Sequence, residues 1–430
     1  MIAGLLALKI ASTAFLIPLD VAAAVLFVYL LVRMPPRRLL LQSLVALVLG
    51  AIVGYVTCWL LADVWDVFGV PLTLVTRIWA ILAFVGVFVA VANLWGSRWW
   101  RKVIAVLAVP IFLLTSAAAI NVDFGAYSTV KEAMGLTAYR ALAHHEVAGK
   151  SGVMDPHLGA DWRAPAGMPD AGTVGAVTIP ATISGFKART ADVYFPPAAL
   201  VAHPPVLPVL VLFAGQPGHP SDMLLAGKAT ADLNAFAAAH HGLAPIVVAP
   251  DQLGSPDRNP MCVDSPLGNS ETYLTVDVPK WIKSHLKVSS SARYWAVGGF
   301  SQGGTCATQF GFGHPNLFGS VIDISGEIAP TIGAATVAKG FGGSAAAYDA
   351  AKPLTLLARH APYADSWAFF GVGALDAKYT RYALALQDGA NAAGVTTTLT
   401  RSPNTGHDWN TVRYLLKLAI PAVSTRLGLG

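Results

Sequence analysis

Three long apolar runs in the first 120 residues constrain this chain more than any other feature. They cover residues 39–61, 72–94 and 103–120. A helix needs about 20 residues to cross a hydrocarbon core about 30 Å thick, and the third run lies at the short end of that range. Because lipid offers no partners to backbone N–H and C=O groups, a run that crosses it must be helical. These runs therefore predict transmembrane helices.

An earlier apolar run, residues 2–32, has two interpretations. Lys9, Pro18 and Asp20 interrupt it, and its second half, residues 21–32, is short for a span unless residues before Asp20 join it. The rival interpretation is a secretory signal peptide, but no basic segment precedes the apolar core and no convincing cleavage site follows it. We expect an uncleaved helix, and hence an anchor of about four transmembrane helices in residues 1–121.

The charged residues between the spans predict their orientation. Basic residues follow the first span (Arg33, Arg37 and Arg38) and the third span (Arg98, Arg101 and Lys102). Acidic residues, Asp63 and Asp66, follow the second span. Loops rich in Lys and Arg remain in the cytoplasm. Both ends of a four-helix bundle would then face outward, so the part of the chain after Asn121 is expected outside the cytoplasm of a multi-pass membrane protein.

The composition agrees with a membrane location and argues against several other functions. Charged residues make up 12% of the chain, about half the usual share of a soluble protein. The net charge of +5 comes from scattered basic residues, so no nucleic-acid partner is expected. No HExxH, P-loop or dinucleotide-binding motif follows a suitable strand, and we therefore expect neither a metal nor a cofactor.

Two of the three cysteines, Cys262 and Cys306, lie in the second half of the chain. Outside the cell they could form one disulfide. Alternatively, they are two small buried residues, since free cysteine is among the most buried residue types. The sequence favours neither interpretation over the other.

Short β-rich runs alternate with helical stretches from residue 171 to residue 430. The expected strands are residues 174–179, 191–195, 206–213, 245–249, 294–298, 319–324, 367–372 and 396–400, and the helical stretches include 223–240, 271–286, 305–311 and 379–393. This alternation predicts an α/β domain with a mainly parallel sheet covered on both faces. The first two strands have no helix between them and should be antiparallel. Residues 122–170 are expected to form an irregular linker.

One predicted strand ends in the motif Gly299-Phe300-Ser301-Gln302-Gly303. In a Gly-x-Ser-x-Gly motif the serine occupies a strained turn between a strand and a helix, where larger neighbours would clash. That turn exposes the hydroxyl above the sheet. The motif alone is weak evidence in a chain with 40 glycines, but its place between a strand and a helix makes Ser301 a candidate nucleophile.

A serine hydroxyl needs a base to accept its proton, and His407 is the best candidate. In this type of site the acid and then the histidine follow the serine along the chain. Only His314, His360 and His407 follow Ser301. His314 is too close to the serine, and His360 precedes the strand expected to supply the acid. His407 lies in a loop after the last strand and before a final helix.

Asp376 is the preferred acid, because it follows an apolar strand and a glycine turn. Its role would be to orient the imidazole and to stabilise its charged form. Glu327, after an earlier strand, is the main rival. Asp408, next to the candidate base, is expected to be structural.

Two backbone N–H groups are needed to stabilise a developing oxyanion. One would belong to Gln302, directly after the serine. The other should come from the turn after an early central strand, where Gln216 is our choice. His219 in the same turn is expected at the edge of a substrate site or on the surface.

On these residues the sequence resembles the putative-esterase branch of the α/β-hydrolases, which includes esterase D and the mycobacterial mycolyltransferases. The resemblance rests on Gly299–Gly303, on the strand that ends at Asp376 and on Gly406-His407-Asp408-Trp409, and it covers roughly residues 170–425. It implies an α/β-hydrolase fold and ester hydrolysis or acyl transfer through an acyl-enzyme. Ser301, Asp376 and His407 would then form the triad, with Gln216 and Gln302 at the oxyanion hole.

The chain departs from the mycolyltransferases in two respects. Those enzymes are secreted, and their acid is usually glutamate, so specificity for trehalose does not follow. The anchor is similar to that of membrane-anchored actinobacterial esterases. We expect an extracytoplasmic serine esterase or acyltransferase acting on a lipid or cell-envelope ester, of mycolyl or aminoacyl type among others. The alternative is a catalytically inactive hydrolase fold that serves as a scaffold or binding module at the membrane.

Overall fold

The chain folds into two compact units, Met1–Leu136 and Thr137–Gly430. A computed structural model describes residues 2–32, 37–65, 67, 70–136, 139–143 and 149–430. Arg33 and Asp66, on which part of the orientation argument rests, lie outside these residues. So do residues 137–138 and 144–148 of the expected linker.

The first unit is helical. Its helices are α1 (Ile2–Leu6), α2 (Thr13–Leu31), α3 (Arg37–Cys58, continued by a π-helix at Trp59–Val64), α4 (Leu74–Ala92), α5 (Trp99–Phe124) and α6 (Val130–Ala133). Among the described residues four helices are long and apolar enough to cross a membrane: Thr13–Leu31, Arg38–Val64, Leu74–Ala92 and Trp99–Phe124. The predicted bundle of about four apolar helices is confirmed.

Helix α2 shows how the first apolar run becomes long enough to span a membrane. It begins at Thr13, so Pro18 and Asp20 lie inside it instead of ending it. Proline lacks one backbone donor, so the helix loses one backbone hydrogen bond at Pro18, its sixth residue. It nevertheless continues through both residues.

The second unit is built around one large sheet. Its strands are β1 (Thr173–Val177), β2 (Ala191–Phe195), β3 (Val209–Phe213), β4 (Ile246–Ala249), β7 (Trp295–Phe300), β8 (Ser320–Ile324), β9 (Trp367–Gly373) and β10 (Thr396–Ser402), and a separate hairpin contains β5 (Asp264–Ser265) and β6 (Gly268–Asn269). The sheet order is β1-β2-β4-β3-β7-β8-β9-β10. Strand β2 is antiparallel to both of its neighbours, and the remaining pairs are parallel.

Helices precede, connect and follow these strands. They are α7 (Leu158–Asp161), α8 (Asp222–Leu225), α9 (Ala229–Ala239), α10 (Ser270–Thr272), α11 (Val278–His285), α12 (Gln302–Gly313), α13 (Ala345–Ala350), α14 (Pro353–His360), α15 (Ala377–Ala392) and α16 (Trp409–Arg426). Strands β2, β3, β4, β7 and β8 are buried along their whole length. Burial on both faces explains their nearly continuous apolar sequences. The predicted mainly parallel sheet with an antiparallel end is confirmed.

Two details of the helices differ from the expectation. The stretch 223–240 is divided into α8 and α9, because Lys228 adopts a left-handed backbone conformation with φ of 59°. Helices α13 and α14 were not predicted. Pro353 occupies the start of α14, a position where proline initiates a helix instead of breaking it.

A disulfide joins Cys262, in the loop after β4, to Cys306 in α12. Of the two interpretations left open by the sequence, the structure has the bonded pair. Cys58 is a buried free cysteine. The disulfide attaches a long surface loop to the helix that follows Ser301.

Candidate active site

Ser301 lies between the end of β7 and the start of α12. Its backbone has φ of 56° and ψ of −120°, an unusual conformation for a residue with a side chain and one that functional sites tend to contain. A Cβ atom at Gly299 would lie 2.3 Å from the carbonyl oxygen of Gly303, and one at Gly303 would lie 2.4 Å from that of Ala214. Both positions therefore require glycine, as the motif predicts.

The structure brings the three predicted triad side chains together. Nε2 of His407 lies 2.8 Å from Oγ of Ser301, and its Nδ1 lies 3.1 Å from Oδ2 of Asp376. Because a carboxylate can only accept hydrogen bonds, Nδ1 carries the ring proton, and the Nε2 lone pair accepts from the serine hydroxyl. The side chain of His407 is 8% exposed and that of Asp376 is 1% exposed, so water has little access to this pair.

Local structure fixes the acid and the base. Asp376 caps helix α15, where its Oδ1 accepts the N–H of Tyr379 at 3.1 Å and its Oδ2 remains for the imidazole. The imidazole lies between the rings of Tyr379 and Phe300, with centroids 4.2 and 4.8 Å away. Asp408 caps α16 by accepting the N–H of Thr411 at 2.9 Å. It orients the loop that carries His407, which agrees with the expected structural role.

The other candidates for acid and base have different partners. The carboxylate of Glu327 accepts a hydrogen bond from the hydroxyl of Thr305, one turn after Ser301 in α12. Nε2 of His314 lies 3.1 Å from the carboxylate of Glu271. His360 lies at the C-terminal end of α14. Asp376 is thus the carboxylate that contacts the imidazole next to Ser301.

The turn after β3 lies next to the serine. Strands β3 and β7 are paired so that Phe213 is opposite Gly299, and a Cβ atom at Gly215 would lie 3.4 Å from Cβ of Ser301. The backbone N–H groups of Gln216 and Gln302 donate to no acceptor within the described part of the chain. Both are free to bind an oxyanion.

Sequence reasoning missed the residues that support this turn. Arg189 forms two hydrogen bonds to the fully buried carboxylate of Asp251, at 3.0 and 2.7 Å, and its Nη1 donates to the carbonyl of Gly218 at 2.9 Å. The same Nη1 lies 3.2 Å from Nδ1 of His219, which is half-buried. The position of Asp251 just after a buried strand is the signal that could have indicated a role at this edge of the sheet.

Asp323, at the end of β8, is a buried carboxyl next to the first turn of α12. Its Oδ1 accepts the N–H of Gly326 at 2.8 Å, and a Cβ atom at Gly304 would lie 2.5 Å from the same oxygen. Burial raises the pKa of Asp323 from 3.8 to about 7, and the nearby Glu327 adds to this rise. The carboxyl therefore binds a proton more tightly in the folded than in the unfolded protein.

This pKa predicts that stability falls as the pH rises. Between pH 4 and pH 7 the folded protein holds a proton on Asp323 that the unfolded chain has lost, so the free energy of unfolding decreases across this range and then levels off. Asp323→Asn should remove the loss, which amounts to about 4 kcal/mol above pH 8. We expect a higher Tm than wild type at pH 8.5 and a similar Tm at pH 4. The control is Asp349→Asn at an exposed carboxylate, and a parallel change in both variants would contradict the prediction.

The mainly parallel sheet and the serine at a strand-to-helix turn define the second unit as an α/β-hydrolase. A family model described as "Putative esterase" matches residues 187–410. The chain belongs to this family of esterases.

Three known proteins illustrate the similarity. An uncharacterized protein of Corynebacterium glutamicum is 34% identical over 365 residues, which cover 82% of this chain and 83% of that protein. This share is larger than residues 137–430 alone, so the similarity extends into the helical unit. A ferulic acid esterase matches in structure with a TM-score of 0.51 and 18% identity, covering 62% of this chain and all of the other.

The third is an S-formylglutathione hydrolase from Agrobacterium tumefaciens, with a TM-score of 0.50 and 18% identity. The match covers 60% of this chain and 97% of that hydrolase. At such low identity the two structures support the fold alone. The expected membership of the putative-esterase branch is confirmed by the family match.

Proposed function

We propose that the protein is a serine esterase or acyltransferase that acts through an acyl-enzyme. The observation that carries this proposal is the position of His407, whose two ring nitrogens contact Ser301 and Asp376. A histidine held in this way can remove the serine proton while the carboxylate stabilises the resulting positive charge.

The geometry supports a two-step reaction. Oγ of Ser301 attacks the ester carbonyl as its proton passes to Nε2 of His407, and the N–H groups of Gln216 and Gln302 stabilise the oxyanion. Collapse of this intermediate breaks the bond to the alcohol, which takes the proton from His407 and leaves the acyl group on Ser301. Water or a second alcohol then attacks the acyl-enzyme, with His407 again as base, and Ser301 is released.

We further propose that the four apolar helices anchor the enzyme and that the hydrolase unit is extracytoplasmic. Two observations support this location. The basic residues at the start of α5, Arg98, Arg101 and Lys102, follow the positive-inside pattern. The Cys262–Cys306 disulfide is of a kind found mainly in oxidising compartments. An enzyme tethered in this way would act on a lipid or cell-envelope ester.

The location can be tested by thiol labelling of intact cells. In a Cys58→Ser background we expect Val153→Cys, at a side chain that is 89% exposed, to react with a membrane-impermeant maleimide before lysis. Ser97→Cys, in the loop expected to be cytoplasmic, should react only after permeabilisation. Labelling in the opposite order would contradict the orientation.

The substrate class can be tested with the purified full-length protein in detergent. Extracts of envelope lipids incubated with wild type should lose specific esters and gain the matching free acids or new esters, as measured by mass spectrometry. The Ser301→Ala variant should produce neither change. If wild type alters no lipid ester, cleaves no activated ester and reacts with no fluorophosphonate, the alternative of an inactive scaffold is favoured.

A further inference from the structure

The two proposed oxyanion donors belong to segments that come from different parts of the chain. Gln216 lies in the turn after β3, and Gln302 is the first residue of α12. Their N–H groups must converge on one oxygen atom, so the separation of the two segments matters for catalysis. A side chain that binds both segments would control that separation.

We propose that Gln252 is a positioning residue that holds these two segments together, an inference that rests on the function proposed above. Its Nε2 donates one hydrogen bond to the carbonyl of Ala214 at 2.6 Å and another to Oε1 of Gln302 at 3.2 Å. Ala214 directly precedes the Gly215-Gln216 turn. The side chain of Gln252 is therefore a bridge between the two donor segments.

The polarity of this bridge is fixed at both ends by backbone groups. The Ala214 carbonyl can only accept, so Gln252 must present its NH₂ group, and Gln302 must then present its oxygen. The NH₂ group of Gln302 consequently points the other way, to Oδ1 of Asn259 at 3.1 Å. Asn259 must use its oxygen there, because the same atom accepts the N–H of Met261 at 2.8 Å. Only one orientation of the three side-chain amides satisfies all of these hydrogen bonds.

Burial makes the bridge rigid. Gln252 is 1% exposed and Gln302 is 5% exposed, so neither amide can exchange its protein partner for water without a penalty. The NH₂ group of Gln302 also lies 3.2 Å from Sγ of Cys306, within the disulfide. The side chain of Gln302 is thus held at both ends, and the position of its backbone N–H is held with it.

The turn that carries Gln216 is held from a second side as well. Asp251, next to Gln252, accepts the N–H groups of Leu253 and Gly254 at 3.0 Å each and binds Arg189, which in turn donates to the carbonyl of Gly218. Two residues after β4 therefore hold this turn. Gln252 binds its start directly, and Asp251 holds Arg189, which binds near its end. Gln252 and Arg189 thus position the turn that carries Gln216, and neither needs to contact the substrate to do so.

A double-mutant cycle on the full-length protein tests this role. Gln252→Met should lower kcat for a p-nitrophenyl ester by about 10- to 100-fold, since a displacement of about 1 Å at a catalytic group has effects of this size. KM should change by less than about threefold, because the bridge is expected to affect the transition state and not the binding of the ester. Gln302→Ala keeps the backbone donor, removes the acceptor of the bridge and should give a smaller loss.

The loss in the double variant should be clearly smaller than the product of the two single losses, because both changes break the same bridge. The control is Gln309→Met, which removes another buried amide of the same unit and should leave kcat within about twofold of wild type. Unchanged kcat in Gln252→Met, multiplicative losses, or an equal loss in Gln309→Met would overturn the inference. If Gln252→Met does not fold, an unchanged kcat in Gln302→Ala overturns it instead. An inactive wild-type protein would contradict the proposed function itself.

Discussion

Replacing Ser301 by alanine should lower the turnover of activated esters by about 10⁴-fold or more and abolish covalent labelling by fluorophosphonates. The hydroxyl is the group that attacks the carbonyl, and its Oγ lies 2.8 Å from the only imidazole nitrogen placed to accept its proton among the described residues. Alanine removes the attacking atom and leaves the imidazole and the backbone donors in place. The residual activity would be that of a binding site without a nucleophile.

The control for this variant is Ser424→Ala, near the opposite end of α16 from the site, where the hydroxyl is also buried. It should retain wild-type turnover and labelling. Both variants should show a Tm close to that of wild type, since neither hydroxyl makes a contact of large expected energy. A Ser301→Ala protein that still reacts at the wild-type rate would refute the assignment of the nucleophile.

Asp376→Asn should lower kcat by about 10³- to 10⁴-fold, because an amide next to Nδ1 no longer fixes the tautomer that leaves Nε2 free to accept a proton. The carboxylate lies 3.1 Å from Nδ1 and is 1% exposed, so no water can easily replace it. Asparagine still accepts the N–H of Tyr379 that caps α15, and the fold should be retained. The measurement is steady-state hydrolysis of a p-nitrophenyl ester.

The matched variant is Glu327→Gln, which changes the rival carboxylate in the same way. Since Glu327 hydrogen-bonds to Thr305, its loss should change kcat by less than about tenfold. A larger loss in Glu327→Gln than in Asp376→Asn would reverse the assignment of the acid.

The catalytic residues could be predicted from the sequence because each belongs to a local pattern. Gly299 and Gly303 occupy two positions of a turn that admit no side chain, and the order of the strands places Asp376 and His407 at the same edge of the sheet. The positions of these residues follow from the ends of the strands and helices, whatever the packing of one side chain against another.

The residues that support the site could not be predicted from the sequence, because they belong to no local pattern. Arg189 and Gln252 act through hydrogen bonds to carbonyls of Gly218 and Ala214, which are distant in sequence and depend on the exact path of two loops. No spacing or composition marks them. The same holds for helix α14, whose first residue, Pro353, reads as a helix breaker unless the start of the helix is already known.

The boundaries of elements were also harder to predict than their existence. Pro18 suggested an interruption where α2 continues, and an unbroken helix was expected where Lys228 adopts a left-handed backbone. Neither a tolerated proline nor a single residue with a left-handed backbone is visible as a periodic pattern. The fold class depended on many residues and was therefore predicted correctly.

The most direct test of this account is the site at which a fluorophosphonate attaches to the full-length protein. After reaction to completion, intact mass should show one adduct per chain, and fragmentation of the peptide that contains Gly299–Gly303 should place it on Ser301. Pre-treatment with an ester substrate should slow the reaction. An adduct on another residue, or a well-folded protein that forms none, would contradict the claim that Ser301, His407 and Asp376 form a working catalytic triad.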